Sequence, residues 1–230
     1  MEIAQVPFIL LCGGRNARLE PLSGTIYKPF MRLRDTTLAA QHVMRARSIG
    51  HETIRLVTDQ HDPLVEAAVI EMRSDAGGDI GYARTEGGTR EKILAVLADL
   101  DSDGPVVVAL GDTYAWYDSG ALLSRLDERV ICCVAISEYR LPFGVVDYRD
   151  GMVTAFREKP GSGYMVNLGV MALGPAAVAR LADGEGVGEL LTAAAASGRL
   201  AGSPVAGGFI SVDSLSDIAR ALGPEGESFL

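Results

Sequence analysis

Cysteine and histidine are scarce in this chain of 230 residues, with three of each. Two of the cysteines, Cys132 and Cys133, are neighbours in an apolar run, and adjacent side chains on a strand point to opposite faces. A disulfide between them would be strained, so reduced, buried thiols in a cytoplasmic protein are expected. No histidine stands at metal-ligand spacing from a cysteine, which argues against a zinc site.

Long hydrophobic runs and low-complexity tracts are also missing. The longest apolar runs, such as 105–110 and 130–136, fall far short of the roughly 20 residues that cross a bilayer. The first residues lack the basic segment of a signal peptide. With 48% hydrophobic and 22% charged residues, the composition is that of an ordinary globular protein with no membrane partner.

Positively charged residues are fewer than negatively charged ones overall, but they are concentrated near the start of the sequence. The chain has a formal net charge of -9, whereas its first 50 residues hold seven basic and three acidic side chains. A cationic segment on an acidic protein suggests a focused site for an anionic small molecule. It does not suggest general affinity for nucleic acid.

The strongest chemical signal lies in that segment. An apolar run of strand length leads into Gly13 and Gly14, and Arg15, Arg18 and Lys28 follow. Glycines let backbone N–H groups line a concavity for phosphate, and the three cations supply charge. Two other interpretations stay open, namely a glycine turn with solvated arginines, or the start of a dinucleotide fold. The second lacks the full Gly-x-Gly-x-x-Gly pattern.

Alternating helices and strands predict the fold class. Helices are expected over 36–49, 63–72 and 90–100, and strands over 53–58, 79–83 and 105–110. Four strand-like segments follow between 130 and 172, with a turn at Asp150-Gly151, then helices over 175–182 and 187–196, a strand over 207–212 and a helix over 215–222. This predicts a single Rossmann-like three-layer α/β domain with a mixed, mostly parallel central sheet and a smaller β-rich acceptor or lid portion. Its halves would be 1–128 and 129–222, with a tail over 223–230.

Asp112 is the first candidate metal ligand. It directly follows the predicted central strand, at the edge where open α/β sheets bind ligands. Mg²⁺ prefers one or two carboxylates together with substrate phosphates. The alternative is that Asp112 forms a turn or caps the helix that begins near Asp118.

Five short motifs occur in the order found in one enzyme family. They are Gly13-Gly14-Arg15-Asn16-Ala17-Arg18-Leu19-Glu20-Pro21-Leu22 with Tyr27-Lys28-Pro29, Gly111-Asp112, Gly144-Val145-Val146, Glu158-Lys159-Pro160 and Asn167-Leu168-Gly169. With these motifs the chain resembles the sugar-1-phosphate nucleotidyltransferases along nearly its whole length. It looks most similar to the short heptose-1-phosphate and mannose-1-phosphate guanylyltransferases.

The resemblance implies a Mg²⁺-dependent transfer of a nucleoside monophosphate from a nucleoside triphosphate to a sugar 1-phosphate, with release of pyrophosphate. It implies catalytic roles for Arg18, Lys28 and Asp112 and a metal site at Asp112. Asp213 is the candidate second ligand, and the alternative is that Asp112 and the phosphates hold Mg²⁺ alone. Nucleotide binding falls to Leu11, Gly13, Gly14, Arg15, Gly87, Gly88 and Thr89, and sugar-phosphate binding to Gly144, Glu158, Lys159, Asn167 and Gly169. Without the family frame, Glu158 and Lys159 would be a surface ion pair. The family also implies a homodimer or larger assembly.

The match departs from the family pattern at three places. Asn16-Ala17 replaces Gly-Thr, and Arg90-Glu91-Lys92 follows Thr89 where small residues are usual. Ser211 occupies the position of the family's second metal-binding aspartate, and Asp213 lies two residues further on. On a strand that spacing keeps the same face but shifts the group by nearly 7 Å.

Three other functions remain open. Ser211 favours a catalytically weak homologue that binds nucleotide sugars. A metal-dependent glycosyltransferase would need a second acid after Asp112, where Tyr114 stands. A dehydrogenase could use Asp59 to hold ribose, but it would need a third glycine after Gly14.

Overall fold

A computed structural model describes residues 2–13, 27–59, 63–206 and 208–223 of the chain. The first half alternates strands with helices. Its elements are β1 Phe8–Leu11, β2 Arg32–Leu33, β3 Thr36–Thr37, α1 Leu38–Ile49, β4 Thr53–Thr58, α2 Pro63–Ala76, β5 Asp79–Arg84, α3 Thr89–Asp99, β6 Val106–Leu110, β7 Thr113–Tyr114 and α4 Ser119–Leu123.

The second half holds the long antiparallel strands. Its elements are β8 Cys132–Arg140, β9 Val145–Arg149, β10 Met152–Arg157, β11 Gly161–Leu173, α5 Pro175–Ala182, α6 Val187–Ala196, β12 Leu200–Pro204, β13 Ile210–Ser211 and α7 Leu215–Leu222. None of the helices in the described ranges has the length and apolarity to cross a membrane.

One seven-stranded sheet joins the two halves, in the order β12-β8-β11-β6-β1-β4-β5. The strands β6, β1, β4 and β5 run parallel, β11 is antiparallel to both of its neighbours, and β12 is parallel to β8. The fold is therefore the mixed, mostly parallel α/β fold that the sequence predicts. Because β1, β4 and β6 are parallel, the residues that follow them meet where the strands end, along the carboxyl-terminal edge of the sheet.

Side chains of the central strands alternate between two buried layers. In β1, Phe8 and Leu10 face the side covered by α1 and α2, whereas Ile9 and Leu11 face the side covered by α3, α5 and α6. A strand buried on both faces reads as a continuous apolar run, which is how β1 and β6 appear in the sequence. The central strands are thus packed against helices on both faces of the sheet.

A separate hairpin, β9 with β10, stands beside the main sheet. Asp150 and Gly151 both have positive φ angles, of 47° and 86°, as the tight turn of a two-residue hairpin requires. Its apolar side chains Tyr148, Met152 and Phe156 are exposed. Of the four strands between Cys132 and Leu173, β9 and β10 form a portion beside the sheet, whereas β8 and β11 join the sheet itself.

The structure differs from the predicted elements in several places, among them two boundaries and one missed strand. The helix expected from Thr36 begins at Leu38, because Thr37 caps it and its hydroxyl accepts from the Ala40 N–H at 3.1 Å. The strand expected over 207–212 is only Ile210–Ser211 within the described residues, and it pairs with β7. The strand β12 was missed since its sequence, with Gly202 and Pro204, lacks strand character; as an edge strand it tolerates both.

Candidate functional site

Lys28 is held against the end of β6 by a close backbone contact. It opens a short 3-10 helix with Pro29, and the Pro29 ring lies over Gly111, the residue after β6. A Cβ at Gly111 would come within 2.7 Å of Pro29 Cγ and 3.1 Å of the Leu11 carbonyl oxygen. Glycine at 111 therefore allows the Lys28 turn to approach the strand end.

Lys28 and Asp213 form an ion pair at this edge. The Lys28 ammonium donates to Asp213 Oδ1 at 2.9 Å, and the lysine side chain is only 11% exposed. The other carboxylate oxygen accepts from the Ser211 hydroxyl at 2.9 Å. That hydroxyl in turn accepts from Thr113 Oγ1 at 3.2 Å, across the β7–β13 pair. The hydroxyl pair thus fixes the direction in which Asp213 points.

Asp112 belongs to the same group of charges. Burial raises the pKa of its carboxyl, and the nearby Asp213 carboxylate raises it further. The Lys28 ammonium and the Thr113 side chain act in the opposite direction. Lys28, Asp112 and Asp213 therefore lie close enough to influence one another. The alternative role of Asp112 as a helix cap does not apply, because Asp118 caps α4 by accepting from the Gly120 and Ala121 N–H groups.

The donor set at this edge suits one hard cation. Asp112 and Asp213 offer two carboxylates, and Mg²⁺ takes one or two carboxylates plus phosphate oxygens. Two neighbouring like charges, one of them partly buried, also favour a divalent cation, which would relieve their repulsion. Within the described part of the chain, no cluster of three or more His, Cys, Asp or Glu side chains forms a complete metal cage.

The glycine turn after β1 lies next to a second pair of charges. Gly14, Arg15 and Arg18 fall outside the described residues. Gly13 is described, and a Cβ there would come within 2.8 Å of Asp59 Oδ2. Asp59 follows β4 and forms an ion pair with Lys92 of α3. In the sequence, Lys92 stood out only as a departure from the family pattern.

The Gly87-Gly88-Thr89 segment forms the start of α3. The Gly88 N–H donates to Glu91 Oε2 at 2.9 Å, and Glu91 Oε1 also accepts from Arg90 at 2.9 Å. Gly87 has a φ of 110°, which favours glycine. The segment lines a cavity of about 420 Å³ with the start of α6. The Gly88 N–H is therefore already bonded within the helix cap.

The predicted acceptor residues fall into two groups. Gly144 and Glu158 lie together at the base of the hairpin, where a Cβ at Gly144 would be 2.5 Å from Phe156 Cζ and 3.2 Å from Glu158 Oε2. Asn167 Oδ1 accepts from the Gly169 N–H at 2.9 Å, and Gly169, with a φ of 73°, packs on Leu110 at the end of β6.

Among the described residues, the hairpin group makes no bond to the charged edge, which is the group of Lys28, Asp112 and Asp213 at the end of β6. Glu158 and Lys159 are exposed, and among the described residues neither bonds to Lys28, Asp112 or Asp213. The cross-strand ion pair of this region joins Arg157 to Asp147 at 2.9 Å instead. The carboxylate and ammonium expected to bind the sugar phosphate are therefore not engaged with each other.

A buried histidine supports the strand after Asp112 and was missed by sequence reasoning. His42 of α1 lies within hydrogen-bond distance of the Thr113 carbonyl at 2.9 Å and of the Tyr117 hydroxyl at 3.0 Å. Burial lowers the pKa of His42 to about 4, so the ring is neutral near pH 7. It then donates from Nε2 to the carbonyl and accepts from the hydroxyl at Nδ1. Nothing in the sequence distinguished this histidine from a core residue.

The fold and this edge define a class: an α/β protein with a mixed, mostly parallel sheet whose central strands end at a lysine, two carboxylates and a glycine turn. The profile of the nucleotidyl transferase family matches residues 8–184, and the chain belongs to that family.

Among solved structures, the chain is similar to one described as a glucose-1-phosphate thymidylyltransferase of Bacillus anthracis in complex with sucrose. The TM-score is 0.74 at 16% sequence identity, over 94% of each chain. At that identity the likeness bears on the fold alone. No curated protein sequence gives a significant match.

Proposed function

We propose that the protein transfers a nucleoside monophosphate from a nucleoside triphosphate to a sugar 1-phosphate, or to a sugar-like phosphate such as a cyclitol phosphate, and releases pyrophosphate. The observation that carries this proposal is the meeting of Lys28, Asp112 and Asp213 at the end of β6, beside the glycine turn. The first two belong to separate family motifs 84 positions apart in the sequence.

The chemistry asks for positioning and charge compensation and needs no nucleophilic side chain. An oxygen of the sugar 1-phosphate attacks the α-phosphorus, and pyrophosphate leaves as the P–O bond to the β-phosphate breaks. Lys28 compensates for charge that grows on the α-phosphate oxygens, since its ammonium is buried and pre-oriented at this edge. Backbone N–H groups of Gly13 and Gly14 would bind the phosphate chain.

Asp112 and Asp213 are the residues that would hold Mg²⁺. When bound, the ion supplies a positive charge that neutralises phosphate oxygens and orients them. Ser211 orients Asp213 through its hydroxyl, in place of the family's carboxylate at that position. Asp213 would thus provide the second carboxylate at the end of β13, two residues after Ser211.

The remaining roles extend the same proposal. Arg18 and Arg15 would bind the leaving pyrophosphate and the triphosphate, and Leu11 and the start of α3 would contact the nucleoside. Gly144, Glu158, Lys159, Asn167 and Gly169 would bind the sugar phosphate; Gly169 packs on the end of β6, close to the charged edge. We also propose a cytoplasmic protein that forms a homodimer or larger assembly and acts on neither nucleic acid nor membranes.

The test is Mg²⁺-dependent release of pyrophosphate from a panel of triphosphates and sugar 1-phosphates, with Asp112→Ala as the inactive control. We expect release from at least one pairing, abolished by EDTA and by the substitution. If no pairing exceeds the control, the protein is not a nucleotidyltransferase.

A second candidate is a homologue that binds nucleotide sugars without turnover. It is favoured by Ser211 in the place of a carboxylate and by the Lys28–Asp213 ion pair, in which two groups needed by the substrates hold each other. Such a protein would bind a nucleotide sugar in calorimetry, yet release no pyrophosphate from any pairing.

A further inference from the structure

The hairpin of β9 and β10 has one face made of apolar side chains. Val146 lies opposite Phe156, and Tyr148 lies opposite Val153. Residues directly opposite each other on paired strands point to the same face, and so do residues two positions apart on one strand. All four side chains therefore share one face of the hairpin, which is its apolar face.

A β-bulge keeps charged side chains off the apolar face. Val153 and Phe156 are three positions apart, so regular alternation would place them on opposite faces. The register shifts after Val153, where Thr154 is the extra residue and its hydroxyl donates to the Asp147 carbonyl at 3.2 Å. The opposite face carries the ion pair between Asp147 and Arg157. The hairpin thus separates apolar from charged side chains, as a sheet with one covered face does.

The described part of the chain leaves the apolar face open to solvent. Its four side chains are between 44% and 67% exposed, and Phe143 at the base of the hairpin is 74% exposed. A two-stranded hairpin is only marginally stable in water unless its apolar face packs against something. A partner that covers this face would therefore account for both the pattern of the hairpin and its stability.

The area of the apolar face fits an interface between two proteins. Because a large aromatic side chain has about 150–250 Å² of surface, the four half-exposed side chains offer roughly 400 Å². An interface of standard size buries about 800 Å² on each partner, of which about 65% is apolar in homodimers. Together with Phe143, the face supplies most of the apolar surface that a stable dimer needs.

Charge favours a second copy of this chain as the occupant. The chain has a formal net charge of -9, so two copies repel each other overall. Residues 138–165, which include the hairpin, hold four acidic and four basic side chains and have no net charge. Two copies can therefore meet at this segment without net repulsion. A neutral apolar face does not suit nucleic acid or an anionic membrane, because both attract basic surfaces.

We propose that two copies of this chain pack against each other through the apolar faces of their hairpins. In a dimer with two-fold symmetry both copies use the same surface, so each apolar face is covered by its counterpart. This inference locates the surface of the assembly named under the proposed function and rests on that part of it. It does not depend on the transfer of a nucleotide.

The test is sedimentation equilibrium of the full chain without substrates. We expect a mass about twice the 24.3 kDa of one chain, which falls toward the monomer on dilution. Tyr148→Glu should weaken the dimer by about 30-fold or more, because it places an unpaired charge in the interface. Ile70→Glu is the matched control, since Ile70 is 64% exposed on α2 and Tyr148 is 67% exposed. The control should dimerise like the unchanged protein, and thermal denaturation should show that both variants are folded.

Crosslinking tests the same surface independently. The three native cysteines are buried, so Tyr148→Cys introduces an accessible thiol into a protein that otherwise has none. A bis-maleimide should join two copies of Tyr148→Cys, whereas Ile70→Cys, which places the thiol on α2, should stay monomeric in a denaturing gel. Equal yields from the two variants would show that the apolar face is not the interface.

Each contrary result has a distinct meaning. A monomer at every concentration overturns the proposal, and hydrogen exchange then identifies the alternative. Slow exchange in β9 and β10 would mean that the chain covers its own hairpin, and fast exchange would mean that the face is open to a different protein. A dimer that Tyr148→Glu leaves intact also overturns the proposal, because its interface lies elsewhere. Pyrophosphate release by a monomer would leave the transferase function standing, whereas a dimer without release would leave this inference standing.

Discussion

At the scale of single residues, replacing Asp112 should lower activity without lowering stability. Its carboxyl is partly buried and lies near the Asp213 carboxylate, and both factors raise its pKa because the charged form is disfavoured there. We predict that Asp112→Asn lowers the rate of pyrophosphate release by about 100-fold or more, while the melting temperature stays equal or rises. Steady-state kinetics and thermal denaturation measure the two effects.

The control for Asp112→Asn is Asp118→Asn, which changes the cap of α4 and leaves the charged edge intact. It should retain activity and change stability by no more than about 1 kcal/mol, because asparagine caps a helix about as well as aspartate and only the charge at the helix start is lost. A variant at 112 that melts well below the unchanged protein would contradict the idea that this carboxylate costs stability in the absence of ligand.

Gly111 should be intolerant of even one added methyl group. A Cβ there would meet Pro29 Cγ at 2.7 Å and the Leu11 oxygen at 3.1 Å, so Gly111→Ala must displace the Lys28 turn. We expect a loss of about 1–3 kcal/mol in the free energy of unfolding and a fall in the rate of pyrophosphate release. Urea denaturation and the pyrophosphate assay provide the readouts.

Gly104→Ala is a matched control, because the nearest atom to a Cβ there is Ser102 Oγ at 3.9 Å. It should alter neither the urea midpoint nor the rate. An equally active and stable Gly111→Ala variant would show that Lys28 does not depend on this contact.

At the scale of elements, the pair of two-residue strands β7 and β13 orients Asp213, the proposed second metal ligand. The Ser211 hydroxyl links Thr113 to Asp213 across the pair. We predict that Ser211→Ala raises the Mg²⁺ concentration for half-maximal activity roughly tenfold, with a smaller effect on the rate at saturating Mg²⁺. A titration of activity with Mg²⁺ separates the two parameters.

The comparison variant is Ser197→Ala, which removes a hydroxyl that donates to the Ala193 carbonyl at the end of α6. Its Mg²⁺ titration should match that of the unchanged protein. If Ser211→Ala does so too, the hydroxyl does not position Asp213 for the ion.

Helices were more predictable than short strands because their limits are set locally. Helix α1 ends at Gly50, which has a φ of 113°, and α5 begins at Pro175 after Gly174, so the sequence carries both signals. Strands β7 and β13 have two residues each and exist only because they pair with each other. No local pattern in Thr113-Tyr114 or in Ile210-Ser211 predicts that these two distant segments pair.

At the scale of the whole molecule, buried histidine makes stability depend on pH. The pKa of His42 falls from 6.5 to about 4 in the folded protein, so between these values the unfolded chain binds more protons than the folded one. Stability is therefore full above the unfolded value of 6.5 and declines as the pH falls. We expect His42 to contribute a loss of about 2 kcal/mol between pH 7.5 and pH 5.

Urea unfolding at several pH values tests this, with His42→Gln as the comparison. The variant should lose the His42 share of the pH dependence and keep that of His51, whose pKa burial also lowers. The relevant quantity is the change with pH, so a general destabilisation of the variant does not obscure it. An identical pH dependence in both proteins would contradict the assignment.

The grouping of charges at the candidate site was predictable in part from the sequence. Lys28 and Asp112 stand out because each belongs to a motif and follows a strand or turn, and parallel strands bring their ends together. The Lys28–Asp213 pair and the Asp59–Lys92 pair were not foreseen as pairs, because their members come from different elements and depend on the packed sheet. Sequence patterns locate strand ends, whereas tertiary packing decides which side chains face each other there.

The Lys28–Asp213 contact spans 185 positions of the sequence, and this has a consequence for how the protein is made. During synthesis, the lysine leaves the ribosome long before the aspartate does. A nascent chain could assemble β1, β4, β5 and β6 early, but its charged edge would stay unfinished until the segment after β12 arrives. Contacts of such long range slow folding, so recovery of nucleotide binding after dilution from denaturant should lag behind recovery of helical circular dichroism.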